Sequence, residues 1–146
     1  MENIRKATIA DLSRIAEIVI FNYRINFYPI FKNDGFYFNQ LQVPKLTEQY
    51  KDNVDRMWVY DDGAIKGFVH VENGEIKKLF VEPVLQGNSF GAALLKYAIR
   101  EHDAHTLWVL EKNARAIRFY RRYGFQATQD KKLEDDTTEY LIRLER

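Results

Sequence analysis

The sequence predicts one α+β domain over residues 1–146, with a mixed, mostly antiparallel central sheet and helices on both faces. Asp62-Gly63 and Asn73-Gly74 separate three short runs of strand-forming residues. Both dipeptides suit turns with positive φ, so these runs predict an antiparallel meander. After Pro83 the pattern changes to helix and then strand, which implies a right-handed parallel crossover in the same sheet.

The first part of the chain predicts one strand and two helices. Asn3 to Ala7 has the composition of a short strand. Thr8 precedes Asp11 by three residues, a carboxylate version of the capping box, and apolar residues at helical spacing follow to about Tyr23. A second helix is expected from Pro44 to about Asn53.

An aromatic-rich connection separates these two helices. The window 21–38, which contains this connection and the end of the first helix, holds eight of the chain's aromatic residues, and Pro29 and Gly35 interrupt it. The aromatic residues are Phe21, Tyr23, Phe27, Tyr28, Phe31, Phe36, Tyr37 and Phe38. We expect a loop here that either lines a pocket, covers a small satellite core or forms a homodimer contact.

The meander strands are expected at Met57–Tyr60, Ile65–Glu72 and Ile76–Val81. A helix with one apolar face begins at Phe90, and the strand Thr106–Leu110 follows it.

The last part of the chain predicts a helix and a hairpin. Asn113 can cap the helix, and Gly124 suits its C-terminal end. Two strands, Phe125–Gln129 and Glu139–Leu144, then flank an acidic turn at residues 134–136.

Composition excludes several classes of function. The net charge of +1 provides no global field for nucleic acid or an anionic membrane. The chain has no cysteine, which excludes disulfides, thiolate zinc sites and a cysteine acyl-enzyme. We find no secretory signal and no apolar stretch of about 18 residues, so a cytoplasmic protein is expected.

The loop Gln86–Ala92, placed between a strand and a helix, is typical of an anion site. Free N–H groups of a first helical turn, together with the helix dipole, favour a phosphate there. No Gly-Lys-Ser/Thr follows, so the loop is not a P-loop, and its glycine spacing does not fit a dinucleotide fingerprint.

Two motifs resemble those of the GNAT (Gcn5-related N-acetyltransferase) family. Leu79–Pro83 followed by Gln86–Leu95 is similar to its acetyl-CoA motif, Arg/Gln-x-x-Gly-x-Gly/Ala. Residues 113–125 are similar to its second signature, Asn-x-x-Ala-x-x-Phe-Tyr-x-x-x-Gly-Phe. One position departs from the pattern, because Ser89 stands where the family usually has its first motif glycine.

The resemblance implies an acetyl-CoA-dependent transfer to an amine, in a sheet that splays between the strands 76–81 and 106–110. Main chain near Phe80 and Val81 would bind the pantetheine arm and donate an N–H to the thioester oxygen. The residues expected to contact the cofactor are Leu79, Phe80, Val81, Gln86, Gly87, Asn88, Ser89, Phe90, Gly91, Ala92, Asn113, Phe119 and Tyr120.

Tyr120 matches the position of the family's general acid. A phenol with a pKa near 10 stays protonated at pH 7 and can protonate a leaving thiolate. Its helical spacing also fits a plain core aromatic residue, and that alternative stays open.

The acceptor side is less defined. The resemblance implies that the connection between the first two helices forms much of the acceptor pocket, with Phe27, Tyr28 and Phe31 as candidates. Glu72 and Glu75 are candidates for the same pocket. The candidate general bases are Glu72, Glu75, Glu111 and His70, and transfer through water without a single base is the alternative.

Three further expectations concern partners. His102 and His105 have no ligand spacing, so no metal is expected. The basic helix face formed by Arg115, Arg118, Arg121 and Arg122 is either solvated, in contact with the CoA 3′-phosphate, or bound to a polyanion such as RNA. A non-catalytic acyl-CoA sensor of the same fold is the alternative to an enzyme.

Overall fold

A computed structural model describes residues 2–146 and contains one seven-stranded sheet in the order β1-β2-β3-β4-β5-β7-β6. Among these strands β4 and β5 form the only parallel pair, which confirms a mixed, mostly antiparallel sheet. The strands are β1 (Ile4–Lys6), β2 (Met57–Asp61), β3 (Ile65–Glu72), β4 (Glu75–Val81), β5 (Thr106–Leu110), β6 (Gln126–Leu133) and β7 (Tyr140–Glu145).

Helices cover both faces of the sheet, as predicted. The α-helices are α1 (Leu12–Asn26), α2 (Tyr28–Phe31), α3 (Val43–Tyr50), α4 (Phe90–His102) and α5 (Ala114–Arg121). Short 3-10 turns occupy Ile9–Asp11, Lys51–Arg56 and Pro83–Leu85, and Gly35–Gln40 is π-helical. None of the helices in residues 2–146 has the length and apolar content that crossing a bilayer requires.

The alternation of side chains along β3 divides the core into two layers. Phe68 packs with the apolar faces of α1 and α3, and its neighbour Val69 packs with α4. Both side chains are fully buried. Successive residues of a strand point to opposite faces, so a sheet covered on both sides needs apolar residues at consecutive positions.

The aromatic connection is more regular than the expected loop. It forms α2 and the π-helical segment, and Tyr37 is buried within it. Phe27, Tyr28, Phe31 and Phe36 pack against the core under α1 and α3. Burial of these rings provides the free energy that holds the segment in helical turns despite Pro29 and Gly35.

Two other local predictions need correction. Only Gly63 of the Asp62-Gly63 pair has positive φ, and the β2–β3 pairing shifts register beside this turn. Strand β6 continues to Leu133, past the predicted end at Gln129. Most of its side chains are exposed, so the sequence carries no apolar alternation there, and pairing with β7 defines the strand.

A bulge in β4 opens the sheet. His70 of β3 pairs with Lys78, but the next residue, Val71, pairs with Ile76, so Lys77 is the extra residue. The β4–β5 pairing is limited to two pairs at the start of both strands, Glu75–Thr106 and Ile76–Leu107. A bulge bends its strand and increases its twist. The expected gap between these strands therefore begins at the bulge.

Candidate active site

Two cavities meet in the gap between β4 and β5. One is a groove of about 550 Å³ at the N-terminus of α4, which we call the α4 groove. The other has a volume of about 710 Å³ and lies beside the aromatic connection, and we call it the aromatic cavity. The residues that line both are Leu79, Phe80, Asn113, Ala116 and Tyr120.

The α4 groove is formed by the end of β4, the loop before α4, and α5. Gln86, Gly87, Ser89, Phe90, Gly91 and Ala92 all line it. The Ser89 side chain makes no capping hydrogen bond to α4. The N–H groups of a first helical turn have no partner within the helix, so they are available to an anion in this groove. Asn88 instead donates its side-chain amide to Leu85 O at 3.0 Å.

A buried asparagine links α1 to this groove, and the sequence analysis missed it. Asn22 is 1% exposed and donates to the carbonyl of Val81 at 2.9 Å. Its own Oδ1 accepts from Gln86 Nε2 at 3.1 Å, so the Gln86 side chain is held in place. The signal available in the sequence was an amide among the apolar residues of α1, since a buried polar side chain needs specific partners.

Ser89 adopts left-handed backbone angles, φ 69° and ψ 7°. This conformation costs a residue with a Cβ atom about 1–2 kcal/mol, and glycine adopts it freely. The backbone here therefore has the geometry for which the family pattern uses glycine.

We expect Ser89→Gly to raise the free energy of unfolding by about 0.5 kcal/mol. Relief of the left-handed strain exceeds the entropy that glycine adds to the unfolded chain. Denaturant unfolding measures the effect. Ser89→Ala is the control, because it removes the hydroxyl and keeps the strain. Equal stability changes in the two variants would contradict this explanation.

Tyr120 lies at the junction of the two cavities. Its ring packs edge-on against Phe119 and Phe125 at centroid distances of 5.2 and 5.6 Å. The residue is 8% exposed, and burial raises the pKa of its phenol. The ring is therefore part of the core, while the residue also lines both cavities, so packing and proton donation are compatible.

Asn113 caps α5, as the sequence predicts. Its Oδ1 accepts from the N–H of Ala116 at 3.1 Å. Arg115, Arg118 and Arg122 of the same region line the α4 groove, while Arg121 does not. These three guanidinium groups supply positive charge beside the helix N-terminus, where an anionic ligand would lie.

The aromatic cavity has apolar walls and an acidic edge. Phe27 and Phe31 line it, together with Tyr23, Phe36 and Tyr37. Tyr28 does not line the cavity, and its hydroxyl donates a hydrogen bond to Asp34 Oδ1. The β6–β7 turn contributes three carboxylates, Glu134, Asp135 and Asp136. A cavity of this composition suits a ligand with an apolar stem and a positive charge.

None of the four expected bases lines either cavity. His70 Nε2 lies 2.7 Å from Glu72, and Arg56 also pairs with Glu72 at 3.3 Å. Burial lowers the pKa of His70. Glu75 and Glu111 are paired with lysines, at 3.3 and 3.0 Å. The structure thus engages all four in structural contacts outside the gap.

Residues 2–146 contain no group of three or more His, Asp or Glu side chains arranged to hold a metal ion. The ring of His102 instead packs on Trp58, with centroids 4.0 Å apart.

A splayed mixed sheet, with a helix N-terminus open to a groove on one side of the gap and a second cavity on the other, is typical of the class of CoA-dependent acyltransferases. A sequence model of this class, described as an acetyltransferase (GNAT) domain, matches residues 53–127. The chain belongs to the GNAT acetyltransferase family.

Individual proteins agree with this assignment. The chain is 34% identical over 85 residues to the peptidyl-lysine N-acetyltransferase YiaC of Escherichia coli (strain K12), a match that covers 57% of this chain and 58% of that protein. The chain thus spans less than two thirds of this relative's length.

Two solved structures share the fold. Apo-form YjaB from Escherichia coli superposes with a TM-score of 0.74 at 20% identity, covering 97% of this chain and 95% of that one. The PaiA N-acetyltransferase from Thermoplasma acidophilum, in complex with coenzyme A, gives 0.70 at 19% identity and covers 98% of each chain.

Proposed function

We propose that the protein is an N-acetyltransferase that moves an acetyl group from acetyl-CoA directly to an amine. One observation carries this proposal: the α4 groove and the aromatic cavity meet at residues that line both, with Tyr120 among them. Two ligands bound in these cavities would meet in the gap, which is the geometry of a direct transfer through a ternary complex.

The cofactor would bind to main-chain groups. Beyond Ile76 the edge of β4 that faces β5 has no strand partner among residues 2–146, so its N–H and C=O groups are free to pair with the amide groups of pantetheine. A backbone N–H near Phe80 and Val81 would donate to the thioester oxygen and stabilise the oxyanion. The diphosphate would bind at the first turn of α4, near the arginines of the groove.

The reaction then needs one proton for the leaving group. The neutral amine attacks the thioester carbon, the C–S bond breaks, and the phenol of Tyr120 gives its proton to the departing CoA thiolate. The proton that the nitrogen loses as the amide forms restores the phenol. A buried phenol with a raised pKa stays protonated at neutral pH, which is the state that an acid requires.

The acceptor that we propose is the side-chain amine of a peptide lysine. The name of YiaC supports this choice, and so does the composition of the aromatic cavity. Aromatic walls suit the alkyl stem of lysine, and the carboxylates of Glu134, Asp135 and Asp136 attract its ammonium group.

Release of CoA thiol over a panel of lysine peptides and small amines tests the function. The chain has no cysteine, so a thiol reagent reads only the CoA that is released. We expect turnover with at least one peptide amine. Binding of acetyl-CoA without turnover on any amine would support the non-catalytic sensor instead.

A further inference from the structure

Lys78 is directed to the aromatic cavity by the bulge in β4. Ile76 and Leu79 both pack with the α4 layer of the core, although they are three residues apart. The extra residue, Lys77, reverses the alternation between them. Lys78 and Phe80 therefore share the other face, and both line the aromatic cavity, as do Ile76, Lys77 and Leu79 beside them.

The amine of Lys78 is enclosed by groups that do not pair with it. It has no carboxylate within ion-pair distance in residues 2–146, whereas Lys77 pairs with Glu75 at 3.3 Å. Its nitrogen lies 6.0 Å from the centre of the Tyr50 ring. The titratable groups around it are His70 on β3, Tyr50 on α3, Tyr23 on α1, Tyr37 in the π-helical segment, Lys77 on β4 and Glu134 in the β6–β7 turn.

These surroundings destabilise the ammonium form of Lys78 relative to that of a lysine in water. Burial lowers the pKa of Lys78, the charge of Glu134 opposes this shift, and the smaller effect of Lys77 acts in the same direction as burial. Burial also lowers the pKa of His70, the cross-strand neighbour of Lys78, and the charge of Lys78 contributes to that shift. A lowered pKa lets a lysine lose its proton at lower pH than a lysine in water, and only the neutral amine can act as a base.

We propose that Lys78 is the general base of the transfer: its neutral amine takes a proton from the ammonium group of the acceptor in the aromatic cavity. This inference rests on the proposed function. Lys78 would take the role of general base in place of the four candidates from the sequence. Those candidates, all outside both cavities, are Glu72, Glu75, Glu111 and His70. The carboxylates of Glu134, Asp135 and Asp136 also line the cavity, but a carboxylate is a much weaker base than an amine.

The protons balance as follows. The acceptor ammonium becomes a neutral amine, and Lys78 becomes an ammonium ion. The amine nitrogen then forms the C–N bond, and the C–S bond breaks with its electron pair passing to sulfur, which takes the proton of Tyr120. The attacking nitrogen loses its second proton to the Tyr120 phenolate, and Lys78 returns its proton to water. One proton is released for each amide formed.

The pH profile of kcat/KM for a lysine peptide tests this role through two variants. Lys78→Met removes the amine, and Lys78→Arg keeps a charge that cannot be lost below pH 12. At pH 7 we expect both to lower kcat/KM by about 100-fold or more, and to lose the limb of the wild-type profile on which activity rises as Lys78 deprotonates. The same change at Lys45, an exposed lysine of α3, is the matched control.

The two variants distinguish a general base at position 78 from a lysine that only contributes charge. Wild-type activity and a wild-type pH profile in Lys78→Arg would overturn the proposal. Arginine can replace a lysine that only binds an anionic group, but it cannot replace a lysine that accepts a proton. Wild-type activity in Lys78→Met would also overturn it. Circular dichroism and acetyl-CoA affinity check that the variants fold. If the wild-type protein acetylates no amine, the proposed function fails and not this inference alone.

A titration independent of turnover provides a second test. In protein with 13C-labelled lysine, the resonance missing from Lys78→Met identifies Lys78. We expect it to titrate at lower pH than the exposed lysines, and a midpoint equal to theirs would overturn the proposal.

Discussion

Replacing Tyr120 with phenylalanine is expected to lower kcat for amine acetylation by about 100- to 10,000-fold. The variant loses the proton donor for the leaving thiolate and keeps the ring that packs between Phe119 and Phe125. The affinity for acetyl-CoA should change little, because the proposed cofactor contacts are main-chain groups of β4 and α4. Steady-state kinetics and calorimetry measure the two quantities separately.

Tyr97→Phe is the matched control for this experiment. It removes a hydroxyl from a half-buried tyrosine of α4 that lines neither cavity, so we expect wild-type kinetics. Unchanged kcat in Tyr120→Phe would limit Tyr120 to a packing role.

The pH dependence gives a further check on Tyr120. A catalytic acid loses its effect as the pH rises through its pKa, and burial raises the pKa of this phenol above its ordinary value near 10. Ionisation of Tyr120 should therefore not lower kcat of the wild-type enzyme below about pH 10. Any fall in kcat below that pH should be present in Tyr120→Phe as well.

Replacing Gly91 with glutamate (Gly91→Glu) is expected to weaken acetyl-CoA binding by about 100-fold. The new carboxylate would lie in the first turn of α4, where it complements the helix dipole, so the fold should persist. The same position faces the α4 groove, and like charges about 4 Å apart repel by several kcal/mol near a protein surface. Calorimetric titration with acetyl-CoA measures the loss.

Gly91→Ala separates charge from bulk. A methyl group at this position would meet Val81 Cγ2 at 3.6 Å and Phe119 Cζ at 3.7 Å, which are ordinary contacts. We expect its affinity to stay within a few-fold of the wild type. Full affinity in Gly91→Glu would exclude the α4 N-terminus as the diphosphate site.

Local signals in the sequence predicted much of the fold. Strand β5 has the predicted bounds, because five residues of strand-forming character lie between a polar turn and a helix cap. The Asn73-Gly74 turn has positive φ at both residues, as expected for a tight hairpin. The end of β6 was wrong because exposed strands carry no apolar pattern, and only pairing with a partner defines them.

The candidate site was harder to predict, since its side chains depend on long-range register. The Gln86–Ala92 loop and the Asn113 cap are local features and could be read from spacing. Lys78 could not be found in this way, because strict alternation places it on the face of Ile76, and the bulge at Lys77 reverses that assignment. Asn22 likewise acquires its role only when α1 lies beside Val81.

The interrupted pairing of β4 with β5 also bears on how acceptor preference can change during evolution. If the cofactor forms hydrogen bonds only with the peptide groups of β4, any residue type except proline can provide the same hydrogen bonds. The side chain at position 80, which lines the aromatic cavity, is then free to diversify at little expense to thioester recognition. The main chain of β4 would thus continue to bind the cofactor while changes in its side chains alter which amine is accepted.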